Sequence, residues 1–510
     1  MAGFNSTDAT SPSPGIIGSW ATIGTGTSTR YATTNVGNIA AYTGYTGVFN
    51  WSTTLPNFTN IEISATSAAI GVDRMCDTIR WIGGAATENY GSGSSVNRLW
   101  IRGILNAGTG TLIFVNASGA PTFVPGTNST ASSPELVLNA AAAGLTVGVP
   151  IVDNAAGASA VTVTGTSTNT VTLNAINTYT GGTTLSAGGL TLGNASGLGN
   201  SNGALAVNGG TLDLGNFSPT VGATTINGGV IQNGTLTATF FTANNPNSAG
   251  VSAVLAGASA TLTKNGPGIL SLTAQNTYGG ATTINAGTLN CLGAISGAVT
   301  VSDGTLSGIG TIAGAVTNQS GGTLAPGADS SSIGTITINN FLALKPGSGT
   351  LIKVSKNGDG TVNDSIAGLT SLICGGTIVV TNIGTIALAA GDTFQIFSAS
   401  NYSGIFSTTV LPALGSNLYW TNNLAVNGTL SVFSTVSLVP TNLVWGLNST
   451  NLTLSWPADH IGWRLLVQTN NLTTGLGTNW VDVANSTLTN QMVFSLDASN
   501  GSVFYRMIYP

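Results

Sequence analysis

Any chemistry in this 510-residue chain has to come from very few side chains. Asp303, Asp329, Asp359, Asp364 and Asp392 are the carboxylates of the central region that could work in pairs. Two carboxyls about 5 to 10 Å apart on one face would suit glycoside cleavage. Strands stacked about 4.8 Å apart could bring two such residues together. None of the five has an Arg or Lys beside it in the sequence, and most adjoin Gly or Asn, so turn roles are expected. The sole histidine, His460, sits in Pro457-Ala458-Asp459-His460-Ile461-Gly462 between two strand-like runs. One imidazole cannot build a multi-His metal site or complete a Ser/His/Asp set, and a solvated loop residue is expected. Cys76, Cys291 and Cys374 are odd in number and far apart. They make neither a disulfide framework nor a metal spacing, and read as buried small hydrophobes. Asn357-Gly358-Asp359-Gly360-Thr361-Val362-Asn363-Asp364 has the look of a calcium loop, but it lacks the ligand alternation and closing Glu of an EF-hand. It reads as a turn. Asn-x-Ser/Thr triplets such as Asn128-Ser129-Thr130 and Asn448-Ser449-Thr450 follow from composition alone. No catalytic, cofactor-binding or metal residue is assigned, and no cofactor is expected.

The composition explains why such residues are scarce. Charged side chains make up 5% of the chain, Gly accounts for 71 residues and apolar types for 42%. Disorder calls for high charge with low hydrophobicity, so a folded chain is expected. No Lys or Arg occurs between Arg102 and Lys264, and the net charge is −5. The basic surface that nucleic acid requires is missing. No apolar run is long enough for a transmembrane helix. The outer face has to be Thr, Ser and Asn, which suit β surfaces on which stacked Asn side chains bond to one another.

One phrase is written twice and shows what positions these residues. Asn177-Thr178-Tyr179-Thr180-Gly181-Gly182-Thr183-Thr184-Leu185 returns as Asn276-Thr277-Tyr278-Gly279-Gly280-Ala281-Thr282-Thr283-Ile284, 99 residues later and without a gap. Ala187-Gly188 with Leu190, and Ala286-Gly287 with Leu289, close the two copies. A looser unit surrounds them: aliphatic, two residues, Gly, any residue, aliphatic. It runs Leu185/Gly188/Leu190, Val207/Gly210/Leu212, Ile226/Gly229/Ile231, Ile284/Gly287/Leu289 and Val301/Gly304/Leu306. Gln319 replaces the first aliphatic ahead of Gly322 and Leu324. The step from Ile231 to Leu289 is about three ordinary steps. A period of about 20 residues is one β-solenoid coil, whose apolar face is buried only when a neighbour stacks on it. The Gly supplies the bend between strands. Tyr179 and Tyr278 are expected to stack from coil to coil.

The fold expected is all-β: a right-handed parallel β-helix followed by a small β-sandwich. Residues 1–105 gather aromatics (Trp20, Tyr31, Tyr42, Tyr45, Phe49, Trp51, Phe58) and charges, and read as irregular early coils or an N-terminal cap. An aromatic binding face is the functional alternative there. Residues 106–435 read as the β-helix, a rod of about 80 Å at ~20 residues and ~4.8 Å per coil. Ala140 to Ala143 hints at helix but is too short to stand alone. Phe240-Phe241 reads as core. Residues 436–510 carry five to six strand-like runs about ten residues apart, which is sandwich spacing. The first residues, Met1-Ala2-Gly3-Phe4-Asn5-Ser6-Thr7-Asp8, do not read as a signal peptide, and the chain is expected to be a piece of something longer.

The lead-in Lys264-x-Gly266-x-Gly268-x-Leu270-x-Leu272, followed by the second phrase, resembles the autotransporter-associated β-strand repeat of large bacterial surface proteins. The first copy matches from Asn177 onward and has no such Lys. The resemblance implies a parallel β-helix on or outside the cell surface. Residues 351–414 are similar to the terminal coils of such passengers. Pro440 with the strand Leu452-Thr453-Leu454-Ser455-Trp456 looks like a fibronectin type III module. Nothing after residue 435 is large enough for the membrane barrel that ends an autotransporter. The expected function is a non-enzymatic extracellular or cell-surface structural protein, an adhesin-like passenger fragment with surface glycans or other cells as partners. The alternatives are a polysaccharide lyase or glycoside hydrolase on the same fold, and carbohydrate binding through the C-terminal sandwich.

Overall fold

The computed structural model describes residues 21–35, 38–47, 60–66, 72–91, 96–127, 134–358, 360–471, 473, 475–497 and 501–509. Trp20, Phe49, Trp51, Phe58, Asn128–Thr130, Asp359 and the first eight residues lie outside them. The chain divides into two compact units. The first holds residues 1–352, 364–379 and 398–409, and the second holds residues 353–363, 380–397 and 410–510.

The first unit is a parallel stack. One ladder pairs Asn60–Ile63 with Thr78–Trp81, then Gly103–Asn106, Glu135–Ala140 and Ala160–Gly165. It continues through Thr183–Leu185 and Thr282–Ile284 to Leu372–Cys374 and Tyr402–Gly404. A second ladder pairs Ala86–Tyr90, Leu112–Asn116, Leu145–Gly148, Thr170–Leu173 and Gly189–Leu192, and runs on to Thr323–Pro326. Shorter parallel strands such as Thr335–Ile338 with Ser365–Leu369 form a third side. Most strands from Ala160–Gly165 onward bury alternate residues, as period-2 side-chain geometry demands, whereas Thr78–Trp81 and Gly103–Asn106 are buried throughout. Val163, Leu185, Val207 and Ile226 therefore form one inner column, and Leu270, Leu289, Leu306 and Leu324 another; all are buried. Phe241 lies in the core, but Phe240, on the other face of its strand, is 45% exposed. The expected Phe-Phe core pair is thus only half core.

The Gly of the repeating unit sits at the corner between the two ladders. Gly188, Gly210, Gly229 and Gly287 have φ between 64° and 78°. Coils also pack tightly there. A Cβ on Gly210 would stand 2.1 Å from the Gly188 carbonyl oxygen, and one on Gly287 would stand 2.4 Å from that of Gly266. Coils containing Ala249–Val251 and Ile269–Leu272 fill the long step between Ile231 and Leu289.

The structure draws the limits of the stack differently from the expected 106–435. Parallel pairing begins at Thr46–Gly47. Ahead of it lies an antiparallel sheet of Thr22–Ile23, Arg30–Asn35 and Asn38–Ala41. Tyr31, Tyr42 and Tyr45 pack inward with Leu105, Ala107 and Ala141. Arg80, buried, pairs with Glu62 and donates to the Thr29 and Thr27 carbonyls at 2.9 and 3.1 Å. The described aromatics of this region are therefore packing residues. Near the other limit, Thr393–Gln395, Thr429–Ser434 and Leu418–Asn423 form an antiparallel sheet in the second unit. Alternation of side chains is the same for both strand directions, so periodicity could not mark these changes. Ala140 ends a strand, Ala141–Ala143 is a bend, and no α-helix occurs among the described residues.

The rest of the second unit carries two small antiparallel sheets. Val444–Leu447, Asn451–Ser455 and Gln491–Ser495 form one; Val481–Asp482, Arg464–Asn470 and Ser502–Ile508 form the other. Leu454, Met492 and Phe494 of the first meet Leu465, Tyr505 and Met507 of the second around Trp456. Two antiparallel sheets sharing one apolar layer fit the expected small sandwich.

Replacing Gly210 or Gly287 by Ala places a Cβ in left-handed backbone and against a carbonyl of the coil below. A loss of about 1–3 kcal/mol per site is expected. The change is read by denaturant unfolding, with Gly250→Ala, where the nearest atom to a new Cβ is 3.9 Å away, as the tolerant control.

Candidate functional site

The repeated phrase builds a polar corner inside the stack. Asn177 and Asn276 are both buried. Asn276 Oδ1 accepts from the Leu255 N–H at 3.0 Å, and its Nδ2 donates to the Ala294 carbonyl at 3.0 Å. Asn177 repeats this with Ile151 N–H at 2.9 Å and the Gly197 carbonyl at 2.7 Å. One side-chain amide thus ties its own coil to the coils on either side, giving the buried Leu255 and Ile151 N–H groups an acceptor at the bend. The tyrosine completes the corner. Tyr179 and Tyr278 are fully buried, with hydroxyls 2.6 and 2.7 Å from Thr183 and Thr282 Oγ1. Tyr278 packs on Phe241 with ring centroids 6.1 Å apart. Burial raises both phenol pKa values, so the rings are neutral hydrogen-bonding props. The Thr-Thr-Ile run at Thr224–Ile226 has no such Tyr, and Thr224 Oγ1 is left buried without a partner.

Lys264, the lead-in residue, points into the core between Ala243 and Ile284 of neighbouring coils. It is fully buried, donating to the Gly266 and Ala286 carbonyls. Burial holds its pKa below the ordinary lysine value. In the first copy the ladder position corresponding to Lys264, opposite Leu185, is Val163, so the corner forms without an ammonium group.

The carboxylates singled out from the sequence serve local structure. Asp329 caps its own turn, accepting from the Ser331 hydroxyl at 2.8 Å and from the Ser331 and Ser332 N–H groups at 2.8 and 2.7 Å, which lowers its pKa to about 2. Asp364, buried, accepts from Gly334 N–H at 2.9 Å. Asp303 lies in the bend after Val299–Val301. In the second unit Asp392 receives Lys356 Nζ on both oxygens, at 2.9 and 3.0 Å. No basic neighbour is visible around Asp392 in the sequence, because Lys356 arrives from 36 residues away. The calcium-like segment is a hairpin: Val354–Asn357 pairs antiparallel with Gly360–Asn363. Among the described residues no group of His, Cys, Asp or Glu is placed to hold a metal ion. All three cysteines are free thiols and buried; burial raises Cys291 to about 12 and Cys374 to about 11.

His460 departs from expectation: it is only 4% exposed, not solvated. Nδ1 lies 2.7 Å from Asp459 Oδ1 and Nε2 lies 2.7 Å from the Val439 carbonyl oxygen. Both partners only accept, so both ring nitrogens must donate, and the ring is the imidazolium. Burial pulls its pKa down, but the Val439 carbonyl and Asp459 together outweigh this and leave it raised. Trp463 stacks at 5.1 Å and donates to the Ser437 carbonyl at 2.8 Å, and Ser437 N–H bonds the Asp459 carbonyl. A short motif could not show this, since the acceptor comes from a backbone 21 residues away.

Outside, the first ladder presents rows of identical residues. Thr225, Thr242, Thr263, Thr283, Thr300 and Thr317 face each other in register on the outward side. All are half-buried, and no intramolecular hydrogen bond engages their hydroxyls. Two positions beyond Thr225, Thr242, Thr263 and Thr283 lie asparagines, and beyond Thr300 and Thr317 lie Ser302 and Gln319. Asn227 donates to Asn208 at 2.7 Å, Asn285 to Asn265 at 2.9 Å and Asn265 to Asn244 at 3.4 Å.

The fold and its corners define a parallel β-solenoid with an antiparallel C-terminal module. Residues 157–192 and 262–290 match the family described as passenger-associated-transport-repeat, which supports an autotransporter passenger repeat. Each match takes in strands of both ladders on two successive coils, with the Asn/Tyr corner between them. No curated protein matches the chain.

Asn276→Leu strands the Leu255 N–H in the interior, while the Ala294 C=O keeps the residue 276 backbone N–H; a loss of about 1–3 kcal/mol is expected in equilibrium unfolding. For Lys264 the folded pKa is depressed, so the unfolded chain binds the proton more tightly. Wild-type stability should therefore rise relative to Lys264→Met as pH climbs toward 10.5. His460 has the opposite sign. Its contribution is full below 6.5 and disappears as pH rises through the raised folded value. Thermal melts of wild type and His460→Gln should converge at alkaline pH, and NMR titration of the ring should give a midpoint above 6.5.

Proposed function

We propose that this chain is a non-enzymatic structural protein of a bacterial outer surface or its secreted matrix, a passenger-type shaft that serves adhesion. The observation that carries this reading is the repeat itself. Both segments similar to passenger repeats are spent on corners whose polar groups point inward and are satisfied by backbone. Asp329, Asp364 and Asp392, three of the five acids an enzyme on this fold could draw on, are engaged by backbone N–H groups or by Lys356. What the stack offers its surroundings is long uncharged rows of Thr and Asn. Partners on this reading are surface glycans or other cells.

Two measurements test it. Antibody against the folded chain should label intact, unpermeabilised cells of the source organism, and external protease should remove the signal. Purified protein incubated with pectin, alginate and chitin should release no reducing or unsaturated ends. Labelling only after permeabilisation, or turnover abolished by Asp329→Asn or Asp392→Asn, would sink the proposal.

A further inference from the structure

We infer that the outward face of the first ladder, over the coils from Thr225 to Thr317, is a docking surface for a neutral, ordered polysaccharide. The inference rests on the adhesion reading above and adds the face and the chemistry of the ligand. Its residues leave few alternatives. Each rung contributes one threonine to this row, whose hydroxyl both donates and accepts, and the row's hydroxyls have no partner within the protein. The neighbouring asparagines bond to each other instead, which holds the edge of the face in place. Between Thr225 and Thr317 the charged residues are Lys264 and Asp303, and Asp303 lies in the bend three residues past Thr300, off the threonine row. Asp213 sits on the other ladder, bonded to Gln232 and Asn233, and Lys264 points inward. Apart from Asp303 at its edge, the threonine row therefore offers no charge to an acidic or basic partner.

Geometry narrows the partner further. A row with one hydroxyl every ~4.8 Å is matched by a partner that itself repeats along one direction. Each contact is weak alone and gains strength by repetition on a rigid support. A packed neutral glycan presents hydroxyl rows and C–H faces of this kind. Phe240, 45% exposed, stands on the same outward face two residues before Thr242. It provides the apolar plate against which a sugar ring stacks. That plate favours a polysaccharide over an ordered water surface, which would need only the threonine methyls and hydroxyls.

The test uses the full chain in pull-downs on microcrystalline cellulose and chitin particles, with an ice-partition arm. Wild type should be retained on at least one polysaccharide, with little change between low and high salt. Thr242→Val, Thr263→Val and Thr283→Val combined keep shape and strand propensity but remove three hydroxyls. This variant should bind about tenfold less or weaker, with an unchanged melting curve. Phe240→Ala should weaken retention, and the Thr→Ser triple variant should recover part of it. Thr172→Val with Thr191→Val, on the second ladder, should bind as wild type does. Failure of wild type on every neutral polysaccharide, or retention in ice alone, overturns the assignment. Retention unaffected by the valine variant overturns the face but leaves adhesion standing. Binding by the purified chain without surface labelling on cells sinks the adhesion reading instead.

Discussion

Parallel backbone pairing between successive coils is the constraint on which the rest of this structure depends. Strands inside the stack take their hydrogen bonds from the turn before and the turn after, so no coil is complete alone. The inner columns follow from that pairing. Once Leu185 lies over Val163 and under Val207, the interior is a set of aliphatic files, and burial acts on the whole file together.

Stacking solves the strands but not the bends. At each corner the chain turns away from the ladder, and its N–H and C=O groups would be buried without partners. The buried amides of Asn177 and Asn276 stand in for the missing backbone, reaching one coil in each direction. Glycine in left-handed backbone makes the other bend, from the first ladder to the second, where a carbonyl of the coil below leaves no space for a Cβ. The repeat is conservative in chemistry for this reason: one amide reaches across, one ring fills, and one residue has to be small. Lys264 shows the latitude that remains, since Val163 takes its place in the other copy.

The second unit follows other rules. Its strands pair antiparallel, and its polar interactions come from distant segments. Lys356 meets Asp392, and His460 is held as an imidazolium between Asp459 and the Val439 carbonyl. Such contacts are single events with no second copy to betray them, whereas the stack writes each of its devices several times.

That difference explains how much could be read from the chain. Period-2 alternation, a Gly at a recurring offset and a phrase repeated at 99 residues are local signals, and they carried the all-β class, the coil and the role of Gly188, Gly210 and Gly287. The strand runs of residues 436–510 were legible for the same reason. Strand direction was not, because alternation looks alike in parallel and antiparallel pairs; hence the antiparallel sheets at Thr22–Ala41 and Thr393–Ser434 came only with the fold. Nor was the burial of His460, which depends on a carbonyl that no side-chain pattern encodes. The exposed threonine row lies between these cases. Each Thr is plain in the chain, but their alignment into one face exists only once the coils are stacked in register.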